Sequence, residues 1–119
     1  MKRVTRFLGT VADPTRLRLL RLIYRRELCV CELMDAVRLP QYKVSRHLLD
    51  LRRIGLAEST RNGRWMHYRI SRTAVRDPLV REVLEVLDGH LRKLPEAKRD
   101  DARLAKRLAS GRADRTACS

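Results

Sequence analysis

Residues 41–55 read QYKVSRHLLDLRRIG, and this stretch decides the fold. Val44, Leu48 and Leu51 fall at i, i+4 and i+7 with Leu49 and Ile54 beside them, the stripe of a helix that buries one face. Gly55 suits the position just past the helix end, where the left-handed conformation costs least without a Cβ. The opposite face carries Tyr42, Lys43, Ser45, Arg46, His47, Asp50 and Arg53, a polar, basic surface. Upstream, ELCVCELMDAVRLP (27–40) places Val30, Leu33, Met34 and Val37 as a short apolar stripe ended by Pro40. The two segments form a short helix, a tight turn at Leu39-Pro40 and a second, sharper helix.

Downstream the period changes. Residues 56–71, LAESTRNGRWMHYRIS, centre on Asn62-Gly63, which predicts a hairpin with a type I′ turn because both central residues then need positive φ. Met66, Tyr68 and Ile70 share one strand face, and Arg61, Asn62 and Arg64 sit at the tip. Towards the N-terminus, Asp13 is a natural cap and Pro14 fits the first position of a helix over about 14–25, with Leu17, Leu20, Ile23 and Tyr24 on its buried face. A short apolar turn around Val4, Phe7, Leu8 and Val11 precedes it. After Asp77-Pro78 comes a helix over 78–93 whose apolar residues (Leu79, Val80, Val83, Leu84, Val86, Leu87, Leu91) cover too wide an arc for a surface helix of so small a domain. It is expected to be buried against a partner. From Pro95 onward charges alternate with Ala and Leu. Residues 1–94 are therefore read as one domain and 95–119 as a charged, flexible tail carrying Cys118. The fold class is mainly α with a two-stranded β-hairpin wing, a winged helix-turn-helix.

Bulk properties narrow the partners. A chain of 119 residues allows one domain, and pairing with a second copy would help complete its core. Lys2, Arg3 and Arg6 are followed by no long apolar run, and no stretch is long enough to span a membrane. Three cysteines in such a chain are expected to be reduced thiols in the cytoplasm. Lys and Arg number 28 against 14 Asp and Glu, a net charge of +14. The last 25 residues hold seven basic and four acidic side chains, so the surplus belongs to the folded part. Polyanions are the natural partners of such a surface. A membrane surface is disfavoured because no aromatic-rich amphipathic helix supports it.

Helix-turn-helix, hairpin and charge together point to double-stranded DNA. The second helix of such a pair enters the major groove with its N-terminal side chains on base edges. Gln41, Tyr42, Lys43, Ser45, Arg46 and His47 occupy that end. Gln and Arg make bidentate contacts to adenine and guanine, while Lys and Ser serve phosphates. Arg61, Asn62 and Arg64 at the hairpin tip suit an adjacent phosphate or a narrow minor groove. No nucleophile–base constellation and no phosphate-cradling glycine loop appears, so the chain is read as a non-enzyme.

Four segments in register, DPTRLRLLRLI, ELCVCEL, KVSRHLLDLRRIGL and RNGRWMHYRIS, make the chain resemble the ArsR/SmtB family of metalloregulatory repressors, most closely its arsenic-responsive branch. The resemblance covers roughly residues 5–92. It implies a homodimer through the first helix and the 78–93 helix, bound to operator DNA without inducer and released by metalloid.

Within that frame Cys29 and Cys31 are the candidate ligands. Alternate residues lie about 200° apart around a helix but on the same side of an extended chain, so the pair needs an irregular helix start to grip one ion. The free N–H groups and positive dipole end there favour thiolates. Soft thiolates select As(III), Sb(III), Cd or Pb over hard cations. In the resembled sensors a third cysteine follows three positions after the second; here that position is Met34, a weak substitute. Either Cys118 supplies the third sulfur, or the inducer needs only two thiols, as a methylated trivalent arsenical does. A zinc site on the long helix is disfavoured, since Asp88 and His90 have no second His/Glu pair at 101–104. Two rival readings remain: a thiol redox sensor pairing Cys29 or Cys31 with Cys118, and a constitutive nucleic-acid-packaging protein with incidental thiols.

Overall fold

The computed structural model describes residues 1–110. In chain order it runs α1 (Lys2–Val11), α2 (Pro14–Arg25), β1 (Leu28–Cys29), α3 (Val30–Val37), α4 (Gln41–Arg53), β2 (Ala57–Asn62), β3 (Trp65–Ile70), a 3-10 turn (Ala74–Arg76), α5 (Pro78–Leu91) and α6 (Pro95–Ala109). Helices begin where the chain supplies caps. Asp13 accepts from the Arg16 N–H at 2.9 Å and Asp77 from the Leu79 N–H at 3.1 Å, each followed by proline at the first helical position. The end of α4 closes through Gly55 at φ 81°. The N–H groups of Gly55 and Leu56 donate to the carbonyls of Arg52 and Leu51 at 2.9 Å, a Schellman closure.

The core lies where α2, α3 and α4 meet the sheet, around Leu19, Ile23, Leu33, Val44, Leu48 and Leu51, all at most 1% exposed. Each such side chain contributes about 1.5–3 kcal/mol by leaving water. The recognition-type helix α4 is therefore fixed by its apolar face, and Arg16 adds a polar fastening by donating to Asp50 at 2.9 Å and to the Thr10 carbonyl at 3.2 Å.

Four features differ from the sequence expectation. First, the N-terminal apolar turn is a ten-residue helix, α1, whose Phe7 and Val11 enter the core. Second, the wing has a third strand. β1 pairs antiparallel with β3 (Leu28 opposite Tyr68, Cys29 opposite His67), giving the order β1-β3-β2. A two-residue strand carries no periodicity to read.

Third, the hairpin turn is displaced by one residue. Asn62 pairs with Trp65, so Gly63 and Arg64 form the loop, and of these only Gly63, at φ 66°, has positive φ. Glycine at the first loop position matches a type II′ turn, which needs left-handed backbone there alone.

Fourth, residues 95–109 are not a flexible tail but α6, packed on α3. Only Ala97, Asp100 and Leu104 of α6 are buried, too few apolar residues for a clear stripe. Ion pairs supply the rest. Arg18 donates to both oxygens of Asp100 (2.9 and 2.8 Å) and to the Val37 carbonyl (2.8 Å). Arg103 donates to Asp100 and to the Ala36 carbonyl, both at 2.7 Å. Arg21 holds Asp101 at 2.7 Å, and Arg107 reaches Asp35 at 3.1 Å. Two arginines thus satisfy carbonyls at the C-terminal end of α3 while Asp100 sits fully buried between them. The hydrogen bond to Asp100 holds the Arg18 guanidinium pKa above its ordinary value, against the opposing effect of burial.

Candidate thiol site and nucleic-acid interface

Cys29 has extended backbone (φ −84°, ψ 162°) and is both the last residue of β1 and the N-cap of α3. Cys31 is the second residue of α3. The irregular helix start that a two-sulfur grip requires is therefore present at these positions. Cys29 is 0% and Cys31 3% exposed. The cap is completed by Glu32, 1% exposed, whose carboxylate accepts the Cys29 N–H at 2.9 Å. In sequence Glu32 is only a negative charge opposing thiolates. The spacing of a capped first turn, with Glu at the third helical position, is the signal that could have assigned it.

Around the thiols, His67 is buried (3% exposed) opposite Cys29, with its Nδ1 3.7 Å from Glu27. Met34 is half-buried three positions after Cys31. Among the described residues no group of three His, Cys, Asp or Glu side chains stands ready to hold a metal ion. Cys29 carries a free thiol, and with Cys31 it places two sulfur atoms at the start of α3, a number that suits a thiophile satisfied by two sulfurs. Cys118 lies outside the described residues. Asp88, the carboxylate considered for zinc, is 7% exposed and engaged by Arg25, whose pKa this hydrogen bond raises.

The DNA candidates fall into two groups. At the start of α4, Gln41, Tyr42 and Arg46 are exposed, Tyr42 by 66%, while Lys43, Ser45 and His47 are half-buried. At the wing tip Arg61, Asn62 and Arg64 are exposed. Between the groups lies a cavity of about 130 Å³ lined by Cys29, Val30, Gln41, Ser45, Arg64 and Trp65 among others. The thiol site, the start of the recognition-type helix and the wing therefore share one space. The base of the wing is fastened by Glu58, which accepts from the Arg72 N–H at 2.7 Å and from Arg69 at 3.5 Å. The Arg72 backbone hydrogen bond is the main cause of a lowered Glu58 pKa.

Comparison with known proteins bears on this arrangement. Residues 13–59 match the model of the bacterial regulatory protein, arsR family. A possible ArsR-family transcriptional regulator from Mycobacterium bovis, whose homodimeric winged helix-turn-helix DNA-binding domain has been solved, superposes with a TM-score of 0.63 at 31% identity. The match covers 76% of this chain and 82% of that one. The chain belongs to the ArsR family. Its fold is the winged helix-turn-helix, and the family consists of transcriptional regulators rather than enzymes. Among curated ArsR-family relatives, the arsenic resistance transcriptional regulator ArsR1 of Pseudomonas putida is 51% identical over 61 residues, covering 50% of this chain and 48% of that protein. The arsenical resistance operon repressor of Escherichia coli is 47% identical over 62 residues, covering 51% and 53%. The matched stretch thus spans about half the length of both relatives. Among the described residues no helix is long and apolar enough to cross a membrane.

Proposed function

We propose that this ArsR-family chain is a homodimeric transcriptional repressor of the cytoplasm that binds operator DNA and releases it when trivalent arsenic bonds to Cys29 and Cys31. The observation that carries the reading is the placement of Cys29, which caps α3, pairs with the wing strand and shares a cavity with Gln41, Ser45 and Arg64. In the bound state the N-terminal side chains of α4 (Gln41, Tyr42, Lys43, Ser45, Arg46, His47) read the major groove, and Arg61, Asn62 and Arg64 hold the flanking backbone. Dimerisation uses α1 and α5, whose outward faces leave Leu8, Leu79 and Val86 exposed.

Arsenite exchanges a hydroxyl for each thiol: an As–S bond forms, an As–O bond breaks, and the thiol proton leaves with the hydroxyl as water. Drawing both sulfurs onto one arsenic distorts the first turn of α3 and removes the Glu32–Cys29 cap. Leu33 and Val37 pass that displacement to Val44 and Leu48 beneath α4. A coupling of about 1–3 kcal/mol changes operator occupancy 5–150-fold. A third sulfur, where one is used, comes from Cys118. The end of α6 returns the chain to Ser110, which shares a groove with Met34, eight residues before that thiol. Methylated trivalent arsenicals, Sb(III), Cd and Pb are the alternative inducers.

A gel-shift titration with an operator duplex that the protein itself selects from a random library tests the reading. Arsenite releases DNA from the wild type and not from Cys29→Ser/Cys31→Ser, while both proteins bind DNA equally without it. Release by peroxide but not arsenite would make the chain a redox sensor. Failure to prefer any sequence would leave a packaging protein.

A further inference from the structure

The charges of α6 are sorted by side. Its aspartates turn towards α2, where Asp100 is buried between Arg18 and Arg103 and Asp101 is held by Arg21. Basic side chains of its second half gather on another flank. There Arg103, Lys106 and Arg107 face Asp35, Arg38 and Leu39 across a groove of about 540 Å³. Four basic residues therefore stand against one carboxylate. Arg103 and Arg107 are engaged by Asp100 and Asp35, whereas Arg38 and Lys106 are exposed and make no ion pair among the described residues.

The groove's position gives this charge a meaning. Arg38 is the C-cap of α3 and holds the left-handed conformation (φ 54°, ψ 48°) that turns the chain into α4. Two residues further on, Pro40 caps α4 and Gln41 begins it. In a helix-turn-helix the first helix crosses the DNA backbone while the second enters the groove. Phosphates flanking the groove read by α4 therefore run close to this turn.

We propose that the groove between the α3–α4 turn and α6 is a second DNA-backbone contact, in which Arg38 and Lys106 neutralise phosphates beside the major groove. This rests on the DNA-binding reading above and extends it to a helix that lies beyond the helix-turn-helix and the wing. Such contacts fix register and add affinity but carry no base preference. Their signature is the salt dependence of binding, since each neutralised phosphate contributes about 0.9 to the slope of log K against log salt.

The test measures that slope by fluorescence anisotropy on a random-sequence duplex, using three full-length proteins: the wild type, Arg38→Asn/Lys106→Ala, and the charge-matched control Lys93→Ala/Lys98→Ala. Asn tolerates the left-handed position at 38, and all four residues are exposed, so each variant is expected to unfold at the wild-type midpoint. The expected result is a slope smaller by about 2 for the groove variant alone. An unchanged slope, or an equal drop in the control, overturns the groove contact while leaving DNA binding standing. Absence of duplex binding by the wild type as well would instead remove the DNA-binding reading and this inference with it.

Discussion

Asp100 lies 82 positions from Arg18 in the chain, yet takes two hydrogen bonds from its guanidinium and is wholly buried. Arg103 completes the arrangement, and both arginines also reach carbonyls at the end of α3. Removing the carboxylate leaves two guanidinium groups without their shared counter-charge.

The first prediction follows. Asp100→Ala is expected to lower unfolding free energy by about 3–5 kcal/mol in urea titration, the cost of breaking a buried pair by removing one partner. An undocked C-terminal segment would instead give a change within about 0.5 kcal/mol.

The outward stripe of α5 gives the second. Leu79, Val83 and Val86 recur at i, i+4 and i+7, and Val86 is 59% exposed. In a two-fold dimer the same patch meets itself. Val86→Glu then sets like charges across an apolar seam, and sedimentation equilibrium is expected to show a monomer. A dimer of unchanged affinity would place the interface elsewhere.

The third concerns the space shared by Cys29, Gln41, Ser45 and Arg64. On the proposed DNA-binding mode, a reagent reaching Cys29 through that cavity meets a surface that bound DNA covers. Alkylation of Cys29 by iodoacetamide, followed by peptide mass spectrometry, is expected to slow roughly tenfold when about nine-tenths of the protein is on DNA, because only the free fraction reacts. A rate indifferent to DNA would mean that the thiol is reached from another side.

Glu58 supplies a pH prediction. Its folded-state pKa is lowered, chiefly by the Arg72 N–H, so its contribution to stability is present above the ordinary glutamate range and is lost as pH falls through the folded value. Glu58→Gln is expected to lower the unfolding midpoint modestly at neutral pH and to converge with the wild type in acid, so that its acid limb is flatter. A parallel acid limb in the variant would assign the acid sensitivity to other carboxylates.

Sequence periodicity made α2, α4 and α5 legible because each buries an apolar face at helical spacing, and Asp13, Gly55 and Asp77 marked their ends. The wing was legible from Asn62-Gly63, although the pairing register of Asn62 with Trp65 moved the loop on by one residue. β1 was not legible, since two residues acquire strand geometry only by pairing with β3. Nor was α6, whose docking is carried by Asp100, Asp101, Arg103 and Arg107. Hydrophobic pattern is silent about charges whose partners are some 70–80 residues away. At the candidate site Cys29 and Cys31 stood out by residue type, whereas Glu32 and His67 gained their places through burial and pairing that spacing does not reveal.

Cys29 ends the strand that pairs with β3 and begins the helix that leads to α4. The wing and α4 are therefore arms of one lever with this residue at the fulcrum. On the proposed mechanism, a ligand that shifts the fulcrum moves both arms together. Release on that mechanism is expected to be all-or-none within a protomer, with intermediate affinities reporting how many protomers have switched.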